Sequence, residues 1–441
     1  MTGEVAVLGL GKSGRSAALL LAREGRQVYL SDADANASWS APDGIAVEAG
    51  RHDLARIGAA SLVVTSPGIP PTAPPLAAAR AAGVPVISEV ELALRAMPGL
   101  RYIAVTGTNG KTTTTALIGH LLRALGYNAI DAGNIGLPLA EVALASPKVD
   151  WIALELSSFQ LHDTPSVDPT VGVLTNLSPD HLDRYATVED YYADKRRLFA
   201  NARAASRLVV NADDPASLGL VAGVTGTHYH FTVAGHPADA SLRADTLTLG
   251  SDVLISRSDL HLLGNHNVAN ALAAALAVTA ADPDHRTPAA RDTLAEALRT
   301  FHALPHRLQL VGEYHGVQWI NDSKATNVSS ALVALESMTR PTILLAGGVH
   351  KGEPYTALAA PLARIGKAVL AYGESAPLIV ADLAGKVPVE RLGNNFNEII
   401  ARARALATPG DAVLLAPACS SFDMFHNYAE RGETFARLAP S

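Results

Sequence analysis

Several short stretches carry residue types that phosphate and acyl chemistry uses. The run TGTNGKTTTT sets Gly107, Thr108, Asn109, Gly110, Lys111, Thr112 and Thr113 between the apolar segment YIAVT and a helical pattern. Backbone N–H groups at such a strand-to-helix turn can cradle phosphate oxygens, the lysine can neutralise them, and the threonine hydroxyl can ligate Mg²⁺. Val105 stands where the longer form of this loop has a glycine, so this is a shortened variant; the bland alternative is a glycine turn that caps a helix. A second glycine loop, GLGKSG, holds Gly9, Gly11, Lys12, Ser13 and Gly14, and Asp32 ends the next apolar run. That pattern is a dinucleotide fingerprint, or simply a helix start packed close on a strand. A chain that holds NAD has no obvious need of a second phosphate loop.

Carboxylates, amides and amines recur just after other apolar runs. ALELSSFQL puts Glu155 at the end of one, with Ser157 and Gln160 following, and NLSPDHLDRY puts Asp180, His181 and Asp183 after another. Hard oxygen ligands and an imidazole beside a triphosphate suit Mg²⁺. Taken singly, Glu155 reads equally as a buried structural acid and His181 as a hydrogen-bonded loop residue. Lys195 in YYADKRRLF reads by itself as a solvated helix lysine. GNHNVANALAA places Asn267 and Asn270 three apart in a helix's first turn, able to read a purine or to cap the helix. LPHR supplies Arg307, NDSKATN supplies Asp322, Lys324 and Thr326, and GGVHKG supplies Lys351. Recurrence at so many strand ends favours function over caps and surface ion pairs. Only eight of the 35 basic residues are lysine. Lysine in these motifs therefore marks places where a compact or neutralisable amine is needed.

The elements that must position these residues follow a βαβ rhythm. At 441 residues the chain exceeds one ordinary core, and length alone indicates about three domains. Residues 1–96 alternate VAVLGL, VYLSD, LVVTSPGI and PVISE with alanine-rich helical stretches and close on the helix VELALRAM. After the Met97-Pro98-Gly99 turn, residues 97–303 carry RYIAVTG, DWIALELSS, VGVLTNLS and RLVVNADD, then the helix NVANALAAALAVTA. Residues 304–441 carry VQWINDS, TILLAGG, AVLAYG and AVLLAPA. The predicted fold is α/β in three domains: an N-terminal Rossmann-like unit, a central P-loop-type unit and a C-terminal Rossmann-like unit.

Composition narrows the partners. A hydrophobic content of 48%, with 17% charged residues, describes a well-buried globular chain. A net charge of -7 and no basic run interleaved with aromatics exclude a nucleic-acid footprint. Glu4 occupies a place where a signal peptide carries positive charge, and the most apolar stretch, ALAAALAVTAA, is too short to span a bilayer. The single Cys419 excludes an internal disulfide and a cysteine-based zinc site. A cytoplasmic protein with small-molecule partners and no membrane insertion is expected.

In order, GTNGKTTT, GNIG, ELSSFQL, DHLDRY, YYADKRRLF, NADD, GNHNVANA, LPHR, NDSKATN and ACSSFDMF resemble the Mur ligase family over nearly the whole chain. With GLGKSG, SPGIP and WINDSKATN, they look most like its branch that adds D-glutamate to UDP-N-acetylmuramoyl-L-alanine in peptidoglycan precursor synthesis. The resemblance implies that the first loop, with Gly11, Lys12 and Ser13, holds the diphosphate of a UDP-sugar and the second the phosphates of ATP. It implies an acyl-phosphate mechanism with Lys111, Glu155, His181, Lys195 and Lys324 as catalytic residues. Thr112 and Glu155 would hold one Mg²⁺; His181 and Lys195, the latter as a carbamate, would serve a second. Asn134, Ser157, Gln160 and His181 would contact the sugar-peptide, and Asn267, Asn270, Arg307 and Asp322 would contact ATP. Lys324, Thr326, Lys351, Ser421 and Tyr428 would meet the incoming amino acid or the transferring phosphate, in a monomer.

Two departures from the family pattern bear on these expectations. The segment ADANASW after Asp32 lacks the basic residue some relatives use on the uridine diphosphate, and His350 in GGVHKG stands where an acid is common. A sibling ligase with another amino acid, a folylpolyglutamate-type ligase, an oxidoreductase resting on GLGKSG and Asp32, and a non-catalytic nucleotide binder remain as alternatives.

Overall fold

The computed structural model describes residues 3–145, 148–181 and 184–439. Its strands form three sheets. The first comprises β1 (Val5–Leu8), β2 (Val28–Asp32), β3 (Ile45–Ala49), β4 (Leu62–Thr65) and β5 (Val86–Ser88), all parallel in the order 3-2-1-4-5. That is the doubly wound arrangement, with its switch point between β1 and β4, beside the GLGKSG loop. Gly14 lets the helix Lys12–Arg23 start against the strand end, because a Cβ there would stand 1.7 Å from the Gly9 carbonyl oxygen.

The second sheet has nine strands: β6 (Tyr102–Thr106), β7 (Ala129–Gly133), β8 (Trp151–Glu155), β9 (Val171–Leu174), β10 (Arg207–Asn211), β11 (Thr227–Thr232), β12 (Ala240–Arg243), β13 (Thr246–Leu249) and β14 (Asp252–Ser256). Their order is 14-13-12-11-10-9-6-8-7, parallel from β7 to β12 and antiparallel beyond. The central strands β6, β8 and β9 are buried along their whole length. Unbroken apolar runs such as YIAVT and WIALE are what a parallel sheet covered on both faces demands. The antiparallel edge, with its short alternating strands, carries no site motif, and no sequence signal announced it.

These two sheets belong to one compact unit, residues 1–260 with 269–300. Polar contacts join them. Glu89 in the helix Glu89–Ala96 accepts from the Ala140 N–H, Arg80 pairs with Asp163 at 2.8 Å, and Arg23 donates to the Ala143 and Leu144 carbonyls.

The second compact unit, residues 261–268 with 301–441, holds the third sheet. It is built from β15 (Gln309–Tyr314), β16 (Val317–Asn321), β17 (Thr342–Gly347), β18 (Gly366–Tyr372), β19 (Val389–Arg391) and β20 (Ala412–Leu415) in the order 15-16-20-17-18-19. All its strands are parallel except β15. Among the described residues no helix is long and apolar enough to cross a membrane.

Candidate functional site

β6 delivers residues 107–110 to the start of the helix Lys111–Ala124, whose N-cap is Gly110 at φ 82°. Gly107, at φ 144°, and Gly110 leave no room for a side chain: a Cβ would stand 2.0 Å from Thr175 Oγ1 in one case and 2.4 Å from Asn270 Oδ1 in the other. Backbone packed that closely exposes N–H groups to an anion at a positive helix end. The loop is held from below. Thr108 Oγ1 donates to the Ser178 carbonyl, the Asn109 N–H donates to Asn176 Oδ1, and Thr114 Oγ1 donates to Asn270 Oδ1 at 3.2 Å. Thr112 and Thr113 are the next two residues of the helix.

Two lysines converge on one carbonyl of this loop. Lys111 Nζ lies 2.9 Å from the Gly107 oxygen and 2.8 Å from that of Thr108, and Lys195 Nζ lies 2.7 Å from the Gly107 oxygen. Lys195 is 1% exposed, with its amine 4.5 Å from the centre of the Tyr191 ring. Burial and the neighbouring Lys111 ammonium hold the Lys195 amine well below the usual lysine range, while the Asp180, Glu155 and Asp194 carboxylates act against them. Its reading as a solvated lysine is therefore overturned: the helix Val188–Arg196 is polar, but this position points inward. Asp194 anchors that helix by accepting from His162 Nδ1 at 2.8 Å, Tyr185 Oη at 3.0 Å and Arg197 Nε at 2.9 Å.

Glu155, at the end of β8, is 1% exposed. Its Oε1 accepts from Asn134 Nδ2 at 2.7 Å, and its Oε2 is buried with no protein partner. A buried carboxylate oxygen left without a donor fits a cation ligand better than a structural acid. Ser157 and Gln160 form a capping box on the short helix Ser158–His162, so part of their polarity is spent locally; Gln160 Nε2 remains buried without a partner. His181 adopts φ 55° and lies half-exposed, its ring 5.4 Å from Phe159 and 6.0 Å from Tyr191. Asp183 lies outside the described residues. Among the described residues no group of three His, Cys, Asp or Glu side chains is gathered for a metal.

In the first sheet, Gly11 caps the helix Lys12–Arg23 without a side-chain hydrogen bond, Lys12 is exposed, and Ser13 is partly buried. Both Asp32 oxygens already accept backbone N–H groups, from Leu10 at 2.7 Å and Asp34 at 2.9 Å. The acid thus shapes the loop.

The second unit gathers its own set of strand-end residues. Arg307 sits between His306 at φ 63° and Leu308 at φ 42°, a strained pair that fixes its loop. Asp322 follows β16 and accepts from the Leu308 N–H; burial pushes its carboxyl up to about 7, opposed by that hydrogen bond and by the Arg307 guanidinium. Lys324 Nζ stands 3.9 Å from the centre of the Tyr428 ring, and Lys351 Nζ is 3.5 Å from Thr326 Oγ1. Ser421 is buried, and Asn267, also in this unit, donates to the Leu263 carbonyl. Sequence reasoning missed Arg431. It is fully buried in the helix Tyr428–Leu438 and donates to Ser323 Oγ and to the Ser323, Gly347 and Cys419 carbonyls, tying three strand-end loops together.

A cleft of about 490 Å³ opens elsewhere, at the amino ends of β6, β9 and β10, lined by Met97, Tyr102, Asp168, Arg203 and Arg207 among others. It contains none of the expected site residues, and the chemistry just described lies at the opposite ends of those strands.

Three family models match the chain in order: the N-terminal domain of MurD-like Mur ligases over residues 3–88, the Mur ligase middle domain over 105–278, and the Mur ligase glutamate ligase domain over 306–419. The UDP-N-acetylmuramoylalanine–D-glutamate ligase of Acidobacterium capsulatum is 40% identical over 449 residues, covering 99% of this chain and 95% of that protein. The enzyme of the same name from Anaeromyxobacter dehalogenans is 41% identical, covering 99% and 97%. Among solved structures, the UDP-N-acetylmuramate-alanine ligase of Thermotoga maritima matches with a TM-score of 0.63 at 18% identity, covering 99% of this chain and 98% of that one. A pseudomurein peptide ligase of Methanothermus fervidus matches with a TM-score of 0.59 at 20% identity, covering 94% and 96%.

Proposed function

The chain belongs to the Mur ligase family, and from that premise we propose that it joins D-glutamate to UDP-N-acetylmuramoyl-L-alanine with ATP, releasing ADP and phosphate in peptidoglycan precursor synthesis. Full-length relatives at about 40% identity bear that name. The observation that carries the reading is local: two lysines on the Gly107 carbonyl and, at the end of the neighbouring strand, a buried carboxylate with an open oxygen.

The alanyl carboxylate is a poor acylating group until one oxygen becomes a leaving group. Transfer of the ATP γ-phosphoryl to that oxygen gives an acyl phosphate. The D-glutamate amine then adds to the carbonyl carbon, loses a proton and expels phosphate, leaving an amide. Residues 107–113 and Lys111 would hold the ATP phosphates, with Asn267, Asn270, Arg307 and Asp322 on the rest of the nucleotide. Gly11, Lys12 and Ser13 would bind the UDP diphosphate; Asn134, Ser157, Gln160 and His181 would line the sugar-peptide. Lys324, Thr326, Lys351, Ser421 and Tyr428 would orient the amino acid and the transferring phosphate.

Mg²⁺ fits the residues present, since Glu155 Oε2 is a buried acceptor without a donor. Thr112 and Glu155 would hold one ion, and His181 with Lys195 a second. When bound, the ions neutralise phosphate charge. Lys195 would serve that role as a carbamate: an ammonium repels a cation, whereas the neutral amine that burial favours can add through its nitrogen to CO₂, lose one proton to solvent and present anionic oxygens. We further assign the working boundaries 1–96, 97–303 and 304–441, a monomeric state, and the cytoplasm, where nucleotide-linked precursors and ATP are available.

Phosphate release is expected to require the nucleotide precursor, Mg²⁺ and D-glutamate together. Equal turnover with L-glutamate, L-lysine or meso-diaminopimelate would reassign the amino-acid specificity.

A further inference from the structure

The second unit contains a chain of hydrogen bonds that this function has not used. Beyond β17 the backbone runs through Gly348, where a Cβ would stand 1.9 Å from the Ser420 carbonyl oxygen, to Val349, which exchanges two hydrogen bonds with Ser420 at 2.9 and 3.2 Å. The loops after β17 and β20 are thus zipped together for one residue. The next residue is His350 and the one after it the exposed Lys351, whose ammonium meets Thr326 Oγ1 only at 3.5 Å. Little at the tip of Lys351 fixes it, so its placement is inherited from the backbone before it.

His350 turns inward. Its Nδ1 lies 2.8 Å from Tyr355 Oη, with the two rings 5.4 Å apart. Tyr355, 1% exposed, opens the short turn Tyr355–Leu358, and its hydroxyl lies 3.0 Å from Cys419 Sγ. Cys419 in turn lies 3.2 Å from Ser375 Oγ. Four side chains from the β17 loop, the turn after it, the β20 loop and the β18 loop make one continuous chain, and Arg431 grips the Cys419 carbonyl from the far side. Cys419 and Tyr355 are buried, so the outermost member, His350, connects that fixed interior to the Lys351 backbone.

We propose that His350 is a positioning residue for the amino-acid substrate: through Tyr355 and Cys419 it fixes the loop that presents Lys351. The inference rests on the assignment of Lys351 to the incoming D-glutamate or the transferring phosphate. It also accounts for the departure at this position. An acid there offers an oxygen at the same δ position as Nδ1, so acid and imidazole alike can accept the Tyr355 proton. The hydrogen bond, not the charge, is what the loop requires.

The test is a set of steady-state measurements on the whole protein. His350→Ala should raise KM for D-glutamate about five- to tenfold, the effect of one lost neutral hydrogen bond, with KM for ATP and for the nucleotide precursor unchanged within about twofold. His350→Asn and His350→Asp should stay near wild type, because each keeps an acceptor in place. Tyr355→Phe should match His350→Ala, and the double variant should add nothing further. Since Tyr355 is buried, hydrogen exchange provides a second reading: His350→Ala, and not His350→Asn, should speed exchange at the amides of residues 347–352. An unchanged D-glutamate KM in His350→Ala, an equal rise in all three KM values, or a fully additive double variant would overturn the proposal. A wild-type protein inactive with D-glutamate would sink the parent reading, and the exchange comparison would still decide whether His350 holds the loop.

Discussion

The two glycine loops of the first compact unit begin alike and are furnished differently. In GLGKSG the helix start approaches its strand closely, Asp32 closes the turn from beneath, and the single lysine, Lys12, stays at the surface. In GTNGKTT the lysine folds back on its own loop carbonyls, a second lysine is buried against the same carbonyl, and an acid with an open oxygen stands at the neighbouring strand end. Both can seat a diphosphate on backbone N–H groups and a helix end. Of the two, the second loop has buried charge beside it, and charge removed from water interacts far more strongly than charge at the surface.

The sharpest break of that comparison is at Lys195. Lys195→Ala should lose about 10²–10³ in kcat, the scale for removing one charge-stabilising group from a water-excluded site. A small added carboxylate that fills the vacant oxygen positions should restore part of the loss. Lys195→Arg should stay inactive, since a guanidinium offers no neutral amine to CO₂. Full activity in Lys195→Arg would reduce the buried lysine to charge or packing and remove the carbamate.

The matching change in the other loop should be mild. Lys12→Ala takes one exposed ammonium away from a site built on backbone donors, so KM for the nucleotide precursor should rise about two- to fivefold with kcat unchanged. A large fall in kcat would mean that the first loop, too, is part of the reacting centre.

Much of this contrast was legible in the sequence, for a physical reason. Parallel strands buried on both faces must be written as unbroken apolar runs, so YIAVT, WIALE and TILLAG announced the sheets and the polar residues that follow marked the strand ends. What sequence concealed was direction. Lys195 and Arg431 lie in helices rich in charge, where an inward-facing cation looks like its solvated neighbours until packing is known. The sequence singled out Ser157 and Gln160 and was silent about their reciprocal cap. The grouping of both glycine loops in one compact unit rests on a shared apolar core and on Glu89, Arg80 and Arg23 reaching across between sheets, and no local pattern encodes such contacts.

Glu89 offers the finest test of that shared platform. The carboxyl is 1% exposed, accepts from the Ala140 N–H through Oε1, and leaves Oε2 without a partner. Burial raises its pKa from 4.5 to about 7, with the Ala140 hydrogen bond pulling the other way. Between those two values the folded protein holds a proton that the unfolded chain has released. Stability therefore falls as pH rises from 4.5 through about 7 and stays lowered above it. The full shift corresponds to about 3 kcal/mol as an upper bound. Glu89→Gln keeps an oxygen for the Ala140 N–H and removes the titration. In urea unfolding the variant should match wild type near pH 4.5 and gain about 1–3 kcal/mol over it by pH 8. Its activity at neutral pH should change less than that of Lys12→Ala, because the residue touches neither loop. A stability difference that is flat across this range would mean that Glu89 ionises as an ordinary carboxylate, and that the joint between the two sheets holds no buried proton.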